Sequence, residues 1–248
     1  MKSIVIVFFI LMLSISAFAA QGKQVSYKSG NETVTGTLYT PAKGKGPFPA
    51  IVVIHEWWGL VPWVEEQASM LADQGYVALA IDLYRGKKTT SPDEAHELMR
   101  GVPQDRAVRD LLAASNYLRS QKNVAPDRIG AIGWCMGGGY AFQLAVNDSK
   151  LRAAVINYGA VSDDPATLGK IHAALLGIFG GQDRGIPAEN VKKAFAELDK
   201  LNKVADVRIF DDAGHAFENP NNKQGYNEAD ANEARTLTLN FLEQHLKD

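Results

Sequence analysis

Between residues 128 and 146 a strand pattern runs into a helix pattern with only a five-residue turn between them. Residues 128–132 read as the strand, Gly133-Trp134-Cys135-Met136-Gly137 makes the turn, and residues 138–146 read as the helix. A backbone can reverse that abruptly only where side chains are absent, and Gly133 and Gly137 provide this on either side of Cys135. Gly138 and Gly139 then let the helix pack closely. A strand, a sharp turn and a helix in direct succession imply a crossover to a further parallel strand of the same sheet.

The rest of the chain continues the alternation. Residues 25–28 and 33–39, with Gly30-Asn31 between them, read as an antiparallel hairpin. Residues 43–49 form a Gly/Pro/Lys loop. Apolar runs at 50–54 and 76–83 read as buried strands, separated by an amphipathic segment at about 64–74 that stops at Gly75. Ser91-Pro92-Asp93-Glu94 combines capping-box spacing with proline at the first helical position, which predicts a short helix. Val108, Leu111, Leu112 and Leu118 share one stripe of the next helix. Strands at 153–158, 173–179 and 204–210 alternate with a helix at 188–201, and a final helix covers about 227–246. The expected fold class is α/β, a mostly parallel central sheet with helices on both faces. Active residues of such sheets gather at the carboxyl ends of strands.

The first nineteen residues read as a secretory signal peptide: Lys2, an apolar run at 4–13 too short to span a bilayer, and a small-x-small site at Ala17-Phe18-Ala19. Residues 20–248 then form a single domain, exported to a periplasmic or extracellular location. Lys2 leaves with the leader, so 25 basic residues face 28 acidic ones, a net charge near −3. That balance points away from nucleic acid and from stable membrane association after cleavage. No His/Asp/Cys cluster has metal-ligand spacing, and no phosphate-cradling glycine motif follows a strand. Neither a metal nor another cofactor is expected.

Cys135 is the chain's only cysteine, so no intramolecular disulfide can engage it. Its surroundings have the G-x-S-x-G spacing of a nucleophile elbow with sulfur in place of the hydroxyl, and a helix N-terminus beside the sulfur favours a thiolate. The bland alternative is a small buried hydrophobe. His215, just after the strand at 204–210, is the candidate base; His55, His96, His172 and His245 are the competitors. Asp183, after the strand at 173–179, is the candidate acid, with Asp211 and Asp212 as rivals on the histidine's own loop. The order nucleophile, acid, histidine is that of the α/β-hydrolases. The loop His55-Glu56-Trp57-Trp58-Gly59 would supply one oxyanion-hole N–H from Trp57, and Met136 the other. Glu56 beside it is either an ordinary loop carboxylate or a participant. Trp57, Trp58, Trp63 and Trp134 suggest an aromatic wall around a small pocket. Residues 218–234 could form a mobile rim.

These segments together resemble the dienelactone hydrolase family of α/β-hydrolases over about residues 25–246. The marks are His55-Glu56-x-x-Gly59, Asp82-Leu83-Tyr84, Gly133-x-Cys135-x-Gly137-Gly138, Gly181-Gln182-Asp183 and Gly214-His215-x-Phe217. The resemblance implies a Cys135–His215–Asp183 triad, with Glu56 taking the thiol proton and the thiolate opening a small enol lactone or cleaving an activated ester. Trp58, Trp134 and Phe217 would line the substrate site. Arg85 and Asn219 would stand near the arginines with which family members grip a substrate carboxylate. Arg85 comes one place early, and Glu218-Asn219 replaces the second arginine. A charged Glu218 there would weaken carboxylate binding. The alternatives are a hydrolase of other small esters or thioesters, and a non-catalytic, redox-sensing binding protein of the same fold.

Overall fold

The computed structural model describes residues 21–248; the expected signal peptide, residues 1–19, lies outside the described residues. The elements run β1 (Lys23–Ser29), β2 (Glu32–Tyr39), β3 (Phe48–Ile54), α1 (Pro62–Asp73), β4 (Val77–Ile81), α2 (Pro92–Arg100), α3 (Gln104–Arg119), β5 (Val124–Trp134), α4 (Met136–Asn147), β6 (Ala153–Asn157), α5 (Pro165–Leu168), β7 (Ala174–Gly180), α6 (Ala188–Lys200), β8 (Ala205–Phe210) and α7 (Glu228–Leu246). All eight strands join one sheet in the order β1-β2-β4-β3-β5-β6-β7-β8. The β1–β2 hairpin is antiparallel and pairs antiparallel to β4; every other neighbour pair is parallel.

Both sheet faces are covered, as the unbroken apolar strands require. Along β3, Ala50, Val52 and Ile54 join the core under α3 and α4, while Ile51 and Val53 join the one under α1. All five are fully buried, and each large aliphatic side chain so enclosed contributes roughly 1.5–3 kcal/mol. Among the described residues no helix is long and apolar enough to cross a membrane.

Several local expectations are adjusted. The strand expected at 128–132 begins four residues earlier, at Val124, and its helix begins at Met136 directly after Cys135. Ser91 makes no capping bond at α2; Thr89 accepts the Ser91 N–H and donates to Glu94 at 2.6 Å instead. The single-turn α5, capped by Asp164, was too short to give a periodic signal. What matters for the site is the reversal of strand order. From β3 the chain steps to β4 on one side, then crosses to β5 on the other, so a crevice opens at the carboxyl ends of β3 and β5.

Candidate active site

Cys135 occupies the turn between β5 and α4 with φ 55° and ψ −121°. A residue with a Cβ held there costs on the order of 1–3 kcal/mol, and the surroundings must impose it. The Cys135 N–H donates to the Asn157 carbonyl at 3.0 Å, the Cys135 carbonyl accepts from Gly139 at 3.1 Å, and the Asn157 side-chain amide donates to the Gly133 carbonyl at 3.0 Å. The glycines are a matter of space. A Cβ on Gly133 would sit 2.1 Å from the Gly137 carbonyl oxygen, and one on Gly137 would sit 2.3 Å from that of Ile54. The helix start is pressed onto the end of β3, and the first-turn N–H of Met136 has no partner inside the helix.

Asp183 follows the carboxyl end of β7. Its Oδ1 accepts from the N–H groups of Gly185 at 2.8 Å and Ile186 at 3.0 Å, while Oδ2 lies 2.6 Å from His215 Nδ1. Burial works against its charge, yet the His215 and backbone hydrogen bonds prevail and lower its pKa. The rivals Asp211 and Asp212 are exposed on the histidine's own loop. His215 also hydrogen-bonds the Cys135 sulfur, and the Tyr158 ring backs it edge-on with centroids 5.3 Å apart. Burial disfavours the imidazolium, but the hydrogen bonds to Asp183 and Cys135 outweigh it and raise the His215 pKa to about 10.

The loop after β3 carries two buried residues with separate tasks. His55 Nε2 accepts from the Leu83 N–H at 3.2 Å, so its proton sits on Nδ1, which donates to the Glu56 carbonyl at 2.5 Å. Burial keeps this ring neutral, and it ties the loop to the end of β4 rather than acting as a base. Glu56 is 1% exposed and accepts from the Asn219 side-chain amide at 2.6 Å. Burial dominates and pushes its pKa up to about 7, against the opposing pull of that bond and of the His215 charge. A carboxylate so placed can take up a proton near neutral pH.

Cys135, His215, Glu56 and Asn219 face one cleft of about 810 Å³. The paired rings of Trp57 and Trp58, 4.7 Å apart, form one wall. Three residues expected at the substrate are elsewhere. Arg85 is not in the cleft lining: its guanidinium pairs with Asp110 at 2.7 Å and Glu32 at 2.9 Å. Trp134 is buried in the core under α1 and α7, outside the cleft lining, and packs edge-on against Trp63. Phe217 is fully buried between Tyr158 and Phe210. The aromatic wall is therefore Trp57 and Trp58 alone. Glu218, expected to repel a carboxylate, turns its carboxyl away from the cleft toward the Trp134 indole. Lys223 is the one lysine or arginine among the described lining residues and has no carboxylate within ion-pair distance. It lies inside the polar stretch expected as a rim, but no motif marked it. Among the described residues no group of three or more His, Cys, Asp or Glu side chains is placed to hold a metal ion.

The arrangement has counterparts. The sequence model of the dienelactone hydrolase family matches residues 34–246. A protein of Aquifex aeolicus named a candidate carboxymethylenebutenolidase is 28% identical over 233 residues, covering 91% of this chain and 100% of the relative. Among solved structures, a dienelactone hydrolase-like promiscuous phosphotriesterase from metagenomic libraries superposes with a TM-score of 0.84 at 24% identity, covering 92% of this chain and 99% of that one. The dienelactone hydrolase from Anabaena variabilis does so with a TM-score of 0.67 at 21% identity, covering 92% and 99%. The two structural likenesses speak to the α/β-hydrolase fold.

Proposed function

Because the chain belongs to the dienelactone hydrolase family, we propose that it opens a small enol lactone, or cleaves a comparably activated ester, with Cys135 as the nucleophile. The observation that carries this reading is the hydrogen-bonded series Asp183–His215–Cys135 opening into the cleft beside a buried Glu56. In it, Glu56 takes the thiol proton, and the sulfur attacks the ester carbonyl carbon. The N–H groups of Trp57 and Met136 receive the developing oxyanion. Collapse forms a thioester and breaks the ring C–O bond, whose electron pair leaves on an enolate. The enolate takes a proton from water, and the resulting hydroxide attacks the thioester. The C–S bond then breaks, releasing the acid, and the thiolate regains its proton from Glu56. The His215 imidazolium, oriented by Asp183, offsets the charge on sulfur throughout.

The cleft size suits a small molecule between the tryptophan rings and the asparagine-rich rim, and Lys223, the one lysine or arginine among the described lining residues, offers a cation to a carboxylate-bearing substrate. The export signal read at residues 1–19 supports a reaction outside the cytoplasm. An ester-mimicking electrophile is expected to label Cys135 stoichiometrically, and Cys135→Ala to lose turnover of lactones and aryl esters by at least about 10³-fold. Full activity in Cys135→Ala would refute the proposal. A panel of dienelactone, simple lactones and neutral aryl esters ranks the substrate classes.

A further inference from the structure

The sheet ends at β8, and no other strand of the described residues pairs with its outer side. Its ladder to β7 uses the backbone of alternate residues: the Val204 carbonyl accepts from Leu175 at 2.9 Å and the Phe210 carbonyl from Gly181 at 2.7 Å. The N–H and C=O groups of Ala205, Val207 and Ile209 therefore point outward, and they take no hydrogen bond among the described residues. The side chains are as open as the backbone. Val204 is 59% exposed and Val207 40%, two of the three large exposed hydrophobics among the described residues. Asp206 is exposed and makes no ion pair among them. Arg208 spends Nε and Nη2 on Glu233 Oε1 of α7, at 3.0 and 2.9 Å, and lies over the Phe210 ring at 4.7 Å. The guanidinium is thus held in place with Nη1 uncommitted. An open edge invites another strand, and proteins commonly guard it with lysines. The opposite edge, β1, carries Lys23 and Lys28, whereas β8 carries an acid and a base two residues apart.

We propose that β8 is a dimerisation edge, pairing antiparallel with β8 of a second copy of this chain and joining the two sheets into one. Outward-facing backbone must meet outward-facing backbone, so Ala205, Val207 and Ile209 can pair only among themselves. With the two-fold axis at Val207, that residue exchanges both main-chain bonds with its own copy, and Ala205 does so with Ile209 of the second copy on either side. Asp206 then lies directly opposite Arg208 of the second copy, twice by symmetry, within reach of the uncommitted Nη1. The same register sets Val207 against Val207 on the face shared with α6, and Val204 against Phe210 on the face shared with α7. Moving the axis by one residue destroys this match. An axis at Asp206 opposes Asp206 with Asp206, and an axis at Arg208 opposes Arg208 with Arg208. The charges of the strand are therefore complementary to those of its own copy in the register that also overlaps residues 204–210 completely.

Sedimentation velocity of the purified protein over about 1–100 µM is expected to show a monomer–dimer equilibrium with a Kd of about 10 µM, as suits a contact smaller than a standard interface. Val207→Lys puts two cations on the axis, and Asp206→Arg opposes arginine with arginine. Each is expected to raise the Kd at least about tenfold while the circular dichroism spectrum and Tm stay those of wild type. The double reversal, Asp206→Arg with Arg208→Asp, restores opposite charges across the axis and should return the Kd to within about threefold of wild type. Should the reversal not fold beside Glu233, the two single variants carry the comparison. A wild-type monomer at 100 µM would overturn the proposal and leave the edge to a partner of another kind. So would a dimer whose Kd neither single variant moves, or a folded double reversal no tighter than Asp206→Arg. None of these outcomes depends on which ester the cleft takes.

Discussion

Asp183 spends both carboxylate oxygens on orienting one ring: Oδ1 is fixed by two backbone N–H groups, and Oδ2 holds His215 Nδ1. Its side chain is 1% exposed, whereas the His215 side chain is 39% exposed, so the acid is locked and the histidine opens to the cleft. Asp183→Asn keeps the shape but removes the charge. Turnover is expected to fall by about 10²–10⁴-fold, the range seen when an orienting acid is neutralised. The same change withdraws an interaction that raises the His215 pKa, so the imidazolium is lost at lower pH and the alkaline limit of kcat/KM moves down. A pH profile with a neutral aryl ester checks both, and an unshifted limit with full activity would contradict the role. At this scale Cys135, Asp183, His215 and Glu56 were legible because each lies within five residues of a strand's carboxyl end, where an α/β sheet exposes its chemistry. Trp134 and Phe217 were not, because sequence proximity to a reactive residue says nothing about whether a ring turns into the core or into the cleft.

Arg85 shows the same limit one level up. It follows β4 at φ 57°, in a turn where Asp82 accepts from the N–H groups of Tyr84 and Gly86. The turn directs its guanidinium to Glu32 of the hairpin and Asp110 of α3. Asp110 is buried and otherwise held by the Ser29 hydroxyl at 2.5 Å, so the arginine joins three elements across the sheet edge. Partners from β2 and α3, distant in the chain, decided its place, and no local pattern could report them. Arg85→Ala should destabilise by about 3 kcal/mol in urea unfolding, the cost of leaving a buried carboxylate unpaired, with KM unchanged. Lys223→Ala should do the reverse. Stability stays constant, KM for a carboxylate-bearing lactone rises about threefold, as suits an exposed ion pair, and neutral esters are unaffected. Raising salt should shrink the Lys223 effect. If Arg85→Ala raised KM selectively for the carboxylate substrate, the carboxylate grip would return to the end of β4.

Across the whole molecule the site sets how stability follows pH. The Glu56 pKa in the fold, about 7, lies above its ordinary value of 4.5, and burial is the cause. Its contribution to stability is therefore fully present below 4.5 and is lost as pH rises through 7, where a charge must be kept out of water. His215, raised from 6.5 to about 10, contributes fully below 6.5 and loses that contribution as pH rises through 10. Asp183, with a lowered pKa, acts at the other end: its contribution exists above the ordinary carboxylate value of 3.8 and fades in acid. The three together place the stability maximum near pH 4, between the ordinary values of Asp183 (3.8) and Glu56 (4.5), with a continuous decline toward pH 10. The sheet order and its crevice were readable from alternating apolar runs, but this pH response was not, since it depends on how completely the loops after β3 and β8 close over Glu56. Glu56→Gln removes the charge and keeps an oxygen for Asn219. Between pH 5 and pH 8 this variant should lose about 2.5 kcal/mol less stability than wild type in urea unfolding, the part of the Glu56 shift that falls in that window. Turnover should fall in the same variant, because the group that costs stability above neutral pH is the one available to take the thiol proton. Equal losses in the two proteins would mean that Glu56 is hydrated in solution and is no longer poised to act as that acceptor.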